Sequence, residues 1–150
     1  MSQTELANDG ATITPIDFPL LDGLRVLVVD DDPDTRSLFA FVLQEKGAVV
    51  SAEASAEAAM AAMEEIPFDL LISDIGLPNI DGYRLLRQVR ALPVEPNAQI
   101  PAMAITGFAD EQTQLQILAA GFQRMLVKPT DIDQFVAIVA ELVGRSQRIV

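Results

Sequence analysis

Asp30, Asp31, Asp74, Thr106 and Lys128 are the residues of this chain best suited to chemistry. Each group follows a short apolar run: RVLVV before Asp30, FDLLIS before Asp74, IPAMAI before Thr106 and MLV before Lys128. Three carboxylates, a hydroxyl and an ammonium, if gathered in one place, suit a divalent cation and a phosphoryl group. Two carboxylates 4 Å apart repel by roughly 4 kcal/mol even at an effective dielectric near 20, so a third demands a proton or a cation. Mg2+ meets that demand, because it takes oxygen ligands in an octahedron and keeps several waters while touching phosphate. Asp74, closing a very apolar strand, is then either an oxygen ligand or a nucleophile. Thr106 offers a short hydroxyl donor, and Gly107 beside it leaves room. Lys128 can neutralise a phosphoryl oxygen as a mobile point charge, while Pro129 fixes how the chain leaves that strand. Gly76 keeps backbone carbonyl and amide groups accessible, and Pro78 stiffens the turn. Asp32 and Asp34 read instead as helix-start residues favoured by the helix dipole.

The elements that must position these groups alternate in kind. RVLVV at 25–29 is a short buried strand, and 33–45 carries Leu38, Phe39, Val42 and Leu43 at helical spacing. Asp32 is the expected N-cap, Pro33 sits where its missing N–H costs nothing, and Gly47 ends the helix. A strand over 48–52 and an Ala/Met-rich helix over 55–65 follow. The spacing then predicts a strand over 69–73, a turn around Leu77, Pro78 and Asn79, and a helix over 81–91. After a looser stretch, LPVEPNAQ, come a strand over 101–105, a helix over 110–120, a strand over 124–127 and a helix over 131–144. Apolar strands of this sort suit the centre of a parallel sheet covered by helices on both faces, a doubly wound α/β fold with five strands and five helices.

Composition excludes several classes. With 22 acidic against 10 basic residues the net charge is −12, which opposes direct binding to nucleic acid or an anionic membrane. There is no Cys and no His, so thiol chemistry, histidine acid–base catalysis and zinc sites are not expected. No apolar run approaches the roughly 20 residues that span a bilayer, and Glu5 and Asp9 stand where a secretory leader wants basic residues. A cytoplasmic protein is expected. Residues 1–22 read as a flexible, acidic leader that docks locally through Ile16, Phe18, Leu20 and Leu21.

Four segments resemble the receiver domain of bacterial two-component response regulators. RVLVVDDDPDTR is similar to the family's first strand and acidic pair, DLLISDIGLPNIDGYRLL to its phosphoacceptor segment, AITGFA to its switch-hydroxyl segment and MLVKP to its lysine–proline segment. The resemblance runs from about Leu24 to Gly144. It implies a flavodoxin-like, CheY-like sheet of strand order 2-1-3-4-5, with a receiver domain over 23–146 between the leader and a tail over 147–150. It implies phosphorylation of Asp74, with Mg2+ (or Mn2+ as substitute) held by Asp30, Asp31, Asp74 and the backbone carbonyl of Gly76. Thr106 and Lys128 would act as switch and charge-pairing groups, supported by Gly107, Pro129 and Met125. Met125 stands where an aromatic residue is common. Gly76 and Phe108 occupy the positions that tune access of attacking water, Phe108 as a shield.

The resemblance further implies a histidine kinase or histidine phosphotransfer protein as donor, Mg-dependent self-phosphorylation from small phosphodonors, and autodephosphorylation. The fourth helix, fifth strand and fifth helix would form a face for a homodimer or a downstream protein, with Ile117, Leu118 and Met125 as contributors, although at least two of these also suit a core role. Stand-alone regulator and piece of a hybrid histidine kinase both stay open. Two rival readings are a phosphate-independent interaction module and a haloacid-dehalogenase-like phosphohydrolase with Asp30 as nucleophile and Asp32 as acid–base. The second leaves Asp74 and the GLPNIDG turn without a role.

Overall fold

In the computed structural model, which describes residues 20–93 and 97–145, the apolar runs form a five-stranded parallel sheet. The elements follow in strict alternation: β1 (Arg25–Val29), α1 (Pro33–Glu45), β2 (Val49–Glu53), α2 (Ala56–Glu65), β3 (Leu70–Asp74), α3 (Gly82–Arg90), β4 (Ala102–Thr106), α4 (Glu111–Ala120), β5 (Arg124–Val127) and α5 (Ile132–Leu142). The strand order is β2-β1-β3-β4-β5. The chain thus reverses direction across the sheet between β1 and β3, which creates a crevice at the carboxyl ends of those two strands.

Side chains alternate between the two faces, as strand geometry requires. Val26, Val28, Leu70, Ile72, Met103 and Ile105 pack with Phe39 and Leu43 of α1 and Phe135, Ile138 and Val139 of α5. Phe39 and Phe135 stack with ring centroids 4.4 Å apart and so tie α1 to α5. On the other face Leu27, Val29, Leu71, Ala102 and Ala104 meet Ala59 and Met63 of α2, Leu85, Leu86 and Val89 of α3, and Ile117 of α4. Leu21 is fully buried in the first cluster, and its N–H donates to the Lys46 carbonyl at 2.8 Å. The docking expected of Leu20 and Leu21 is therefore present, whereas Ile16 and Phe18 lie outside the described residues.

Every helix starts on a side-chain cap. Asp32, Ser55, Asp81, Asp110 and Asp131 each accept a backbone N–H of the first turn, and such a cap typically contributes about 1 kcal/mol. Gly47 (φ 97°) follows α1 and Gly121 (φ 108°) closes α4 in left-handed conformations, where a side chain would be strained. The loose stretch before β4 holds a short 3-10 turn over Asn97–Gln99. Asn97 is buried there, accepting from Phe68 N at 2.7 Å and donating to the carbonyls of Met63 and Ile66 at 2.7 and 2.8 Å. One side chain thereby joins the end of α2, the approach to β3 and the approach to β4. Among the described residues no helix is long and apolar enough to cross a membrane.

Candidate functional site: an acidic crevice at the strand ends

β1, β3, β4 and β5 deliver Asp30, Asp74, Thr106 and Lys128 to the same edge of the sheet. Asp74 and Thr106 are the last residues of their strands rather than the first residues beyond them: Asp74 is in register with Ile105, and Thr106 with Val127. The reason is that ladder bonds are made by the backbone and continue past the last apolar side chain. Ile75 N donates to the Ile105 carbonyl at 3.0 Å and Lys128 N to the Thr106 carbonyl at 2.8 Å. The ladder thus fixes the backbone at both candidate residues.

The Lys128 ammonium links the two buried carboxylates, 3.1 Å from Asp74 Oδ2 and 3.2 Å from Asp30 Oδ2. The contact to Asp74 is a hydrogen bond, whereas that to Asp30 is an ion pair without hydrogen-bond alignment, and Asp30 Oδ2 is buried with no other partner. Asp30 Oδ1 accepts from Asp32 N at 2.9 Å, and Asp74 Oδ1 from Gly76 N at 3.0 Å. Asp30 is only 1% exposed and Asp74 8%, while Asp31 is exposed at the rim. All three offer carboxylate oxygens within 4.8 Å of one another.

Burial, and next the charge of Asp74, push the Asp30 carboxyl above its ordinary pKa, against the opposing pull of the Asp32 amide and Lys128. Burial by itself would lower the pKa of Lys128. The hydrogen bond to Asp74 and the charges of Asp74 and Asp30 outweigh it, so the ammonium is held more firmly than usual.

These residues fit a hard divalent cation. The donor set is three carboxylates, which is oxygen chemistry, and one of their oxygens is buried with a single imperfect cationic contact. Asp30, Asp31 and Asp74 could hold Mg2+, which takes such ligands. The fold and the Asp cluster together are consistent with a site that accepts a phosphoryl group.

Thr106 is 2% exposed, and its hydroxyl oxygen accepts from Phe108 N at 3.1 Å. A Cβ added at Gly107 would meet nothing within 4 Å, so the protein itself does not require glycine there and the space beside Thr106 is open. Phe108 is 70% exposed. Pro129 joins Lys128 through a cis peptide bond. Met125 is half-buried against the second core cluster. Of the residues expected on the α4–β5–α5 face, Ile117 is fully buried and belongs to the core, whereas Leu118 is 57% exposed. Asp32 is occupied by its cap, accepting the Thr35 hydroxyl at 2.7 Å and Asp34 N at 3.2 Å, which leaves it poorly suited to acid–base work. Asp34 is likewise exposed in the first turn of α1.

Three supporting residues escape sequence reading. Arg36 donates to the Asp30 carbonyl at 2.8 Å, and the Ser73 hydroxyl donates to the Asp74 carbonyl at 2.9 Å. Tyr83, in the first turn of α3, lines with Asp81, Arg87, Gln116, Ala119 and Ala120 a cleft of about 410 Å3 between α3 and α4. Burial raises its hydroxyl pKa, as do the nearby Asp81 and Asp110 charges. An Arg one turn into a helix, or a Ser before an Asp, carries no spacing signal that distinguishes it from an ordinary surface or core residue.

The sheet order, the reversal at β1 and β3 and the acidic crevice define a class, and the sequence pattern described as the response regulator receiver domain matches residues 26–140. The chain belongs to that family. It is 40% identical over 119 residues to an uncharacterized 14.6 kDa protein encoded in the sodA1 3' region of Leptolyngbya boryana, covering 79% of this chain and 88% of the relative. It is 32% identical over 125 residues to the sensor protein GacS of Pseudomonas syringae pv. syringae, covering 83% of this chain but 14% of that protein. The solved receiver domain of the sensor histidine kinase PA1611 from Pseudomonas aeruginosa PAO1 superposes with a TM-score of 0.74 at 28% identity, covering 81% of this chain and 98% of that one. That structure holds a magnesium ion coordinated in its active site cleft. Further curated relatives are longer, and this chain spans 24% to 51% of such regulatory proteins.

Proposed function

We propose that this chain is the phosphoryl-accepting domain of a two-component phosphorelay, modified on Asp74 and switching a protein-interaction surface. The receiver domain runs over 23–146, between a leader over 1–22 and a tail over 147–150. The supporting observation is the Lys128 ammonium set between the buried Asp74 and Asp30 carboxylates, with Asp31 within reach of both. A carboxylate oxygen of Asp74 attacks the phosphorus of a phosphohistidine on a histidine kinase or histidine phosphotransfer protein. The new O–P bond forms as the P–N bond breaks, and the electron pair leaves with the imidazole, which takes up any proton it lacks from water. Lys128 and the Thr106 hydroxyl then hold phosphoryl oxygens, a charge-stabilising task that needs positioning more than covalent chemistry. Asp30, Asp31, Asp74 and the Gly76 carbonyl hold Mg2+, which when bound offsets the negative charge gathered around the transferred group. Gly107 keeps space beside Thr106, Pro129 directs the loop after Lys128, and Met125 lines the route to the face of α4, β5 and α5. A homodimer or a downstream protein docks on that face, with Leu118 exposed for contact. Hydrolysis of the acyl phosphate resets the domain.

The test is intact mass spectrometry after incubation with acetyl phosphate and Mg2+, comparing wild type with Asp74→Asn. A labile phosphoryl adduct on the wild type alone is expected. Equal adducts on both proteins would move the nucleophile to Asp30. Absence from both, with a phosphorylated histidine phosphotransfer protein as donor as well, would replace the reading with a phosphate-independent interaction module.

A further inference from the structure

Gly82 is buried as the first residue of α3 and does not use the left-handed conformation that glycine usually supplies. What it supplies is space. A Cβ built on Gly82 would lie 2.6 Å from the Asp74 carbonyl oxygen and 2.9 Å from the Ile75 Cα, both backbone atoms that cannot swing aside, and 3.2 Å from Ile75 Cδ1. The Gly82 N–H donates to the Ile75 carbonyl at 3.0 Å, while the Ile75 N–H donates across to Ile105 on β4 at 3.0 Å. The Ser73 hydroxyl holds the same Asp74 carbonyl at 2.9 Å. The backbone that carries the Asp74 carboxylate is therefore gripped from β4, from Ser73 and from the start of α3.

We propose that Gly82 is a positioning residue for phosphoryl transfer: its missing side chain lets α3 press directly on the Asp74 backbone and so sets where the carboxylate stands relative to Lys128 and Asp30. The inference rests on Asp74 as phosphoacceptor. Moving a Cβ from 2.6 Å to the ordinary contact distance of 3.4 Å requires a shift of roughly 0.8 Å, shared between Asp74 and α3. A misplacement of about 1 Å in an oriented reaction can cost ~100-fold in rate.

The experiment compares the phosphorylation rate from acetyl phosphate and Mg2+ in wild type, Gly82→Ala and Asp81→Ala, at a temperature where circular dichroism shows each to be folded. Asp81→Ala removes the cap on Arg84 N and weakens the same helix start, but places no atom against Asp74. Gly82→Ala is expected to slow the reaction by about 10- to 100-fold, and Asp81→Ala to stay within about twofold. A Gly82→Ala rate within twofold of wild type, or an equal slowing by Asp81→Ala, overturns the inference. A second measurement needs no variant: hydrogen exchange of the wild-type Gly82 amide, under steady phosphorylation, should change at least about fivefold, a local opening free-energy effect. An unchanged Gly82 amide overturns the coupling even if Gly82→Ala fails to fold. A wild type that takes up no phosphoryl group overturns the functional reading itself, and this inference with it.

Discussion

Asp30→Asn should stabilise the protein in the absence of divalent cations. Its carboxylate is almost fully buried and carries a raised pKa, first from burial and then from Asp74. A carboxyl whose folded pKa lies above its unfolded one contributes stability in full below the unfolded value, and that stability is lost as pH rises through the folded value. Above the folded value the charge therefore costs stability. At an effective dielectric of about 20, attraction to Lys128 at 3.2 Å is about 5 kcal/mol, whereas repulsion from a carboxylate oxygen within 4.8 Å is at least about 3.5 kcal/mol. Asp74 and Asp31 both repel, although Asp31 counts for less because it is exposed. Those opposing Coulomb effects nearly cancel, leaving desolvation to decide the sign.

The Asn substitution keeps an oxygen for the Asp32 N–H, removes the charge from the buried Oδ2 and forfeits its ion pair with Lys128. The expected gain is about 2 kcal/mol, the usual size of the desolvation penalty for one poorly partnered buried group, or roughly 4–8 °C in Tm for a chain of this size. Thermal unfolding in a chelating buffer at low ionic strength measures it. Excess Mg2+ should narrow the gap, because binding stabilises the wild type by mass action and the variant has lost a ligand. An Asp30→Asn protein no more stable than wild type in chelator would refute the electrostatic reasoning.

Two further outcomes follow from particular contacts. Asp31→Ala should weaken Mg2+ binding by about tenfold or more in titration calorimetry while leaving unfolding in chelator nearly unchanged, since Asp31 is exposed. Unchanged Mg2+ affinity would remove it from the ligand set. Asn97→Ala should cost about 3 kcal/mol in urea unfolding, because a buried amide that serves three backbone groups would leave them unpaired. A loss under about 1 kcal/mol would mean that solvent replaces it.

The sheet was readable because each strand is an apolar run followed by a polar residue, and only a parallel α/β order brings Asp30, Asp74, Thr106 and Lys128 to one edge. Strand ends were less readable. β2, β3 and β4 each sit one residue further along than the apolar pattern suggests, since backbone pairing ignores side-chain polarity and carries Asp74 and Thr106 into the ladder. Ala48 and Pro101 adjoin the apolar runs, yet precede the paired segments. Of the five caps only Asp32 stands out, because Pro33 marks it. Asp81, Asp110 and Asp131 resemble the general acidity of the chain until their bonds are seen. Ile117 and Leu118 are adjacent apolar residues on one helix, and only packing tells that the first faces the sheet and the second does not. Gly82 is hardest of all, because its role is the absence of an atom where another segment passes.

Tyr83 carries a practical consequence. It is the only tyrosine of the chain, which has no tryptophan, and it stands one residue beyond Gly82 in a half-buried site beside the Asp81 and Asp110 charges. Near-ultraviolet emission from the unlabelled protein, excited beyond the phenylalanine band, therefore comes from a single ring at the junction of the β3–α3 loop and the start of α4. Every binding or modification event that moves this junction is written into one optical signal, with no probe to attach.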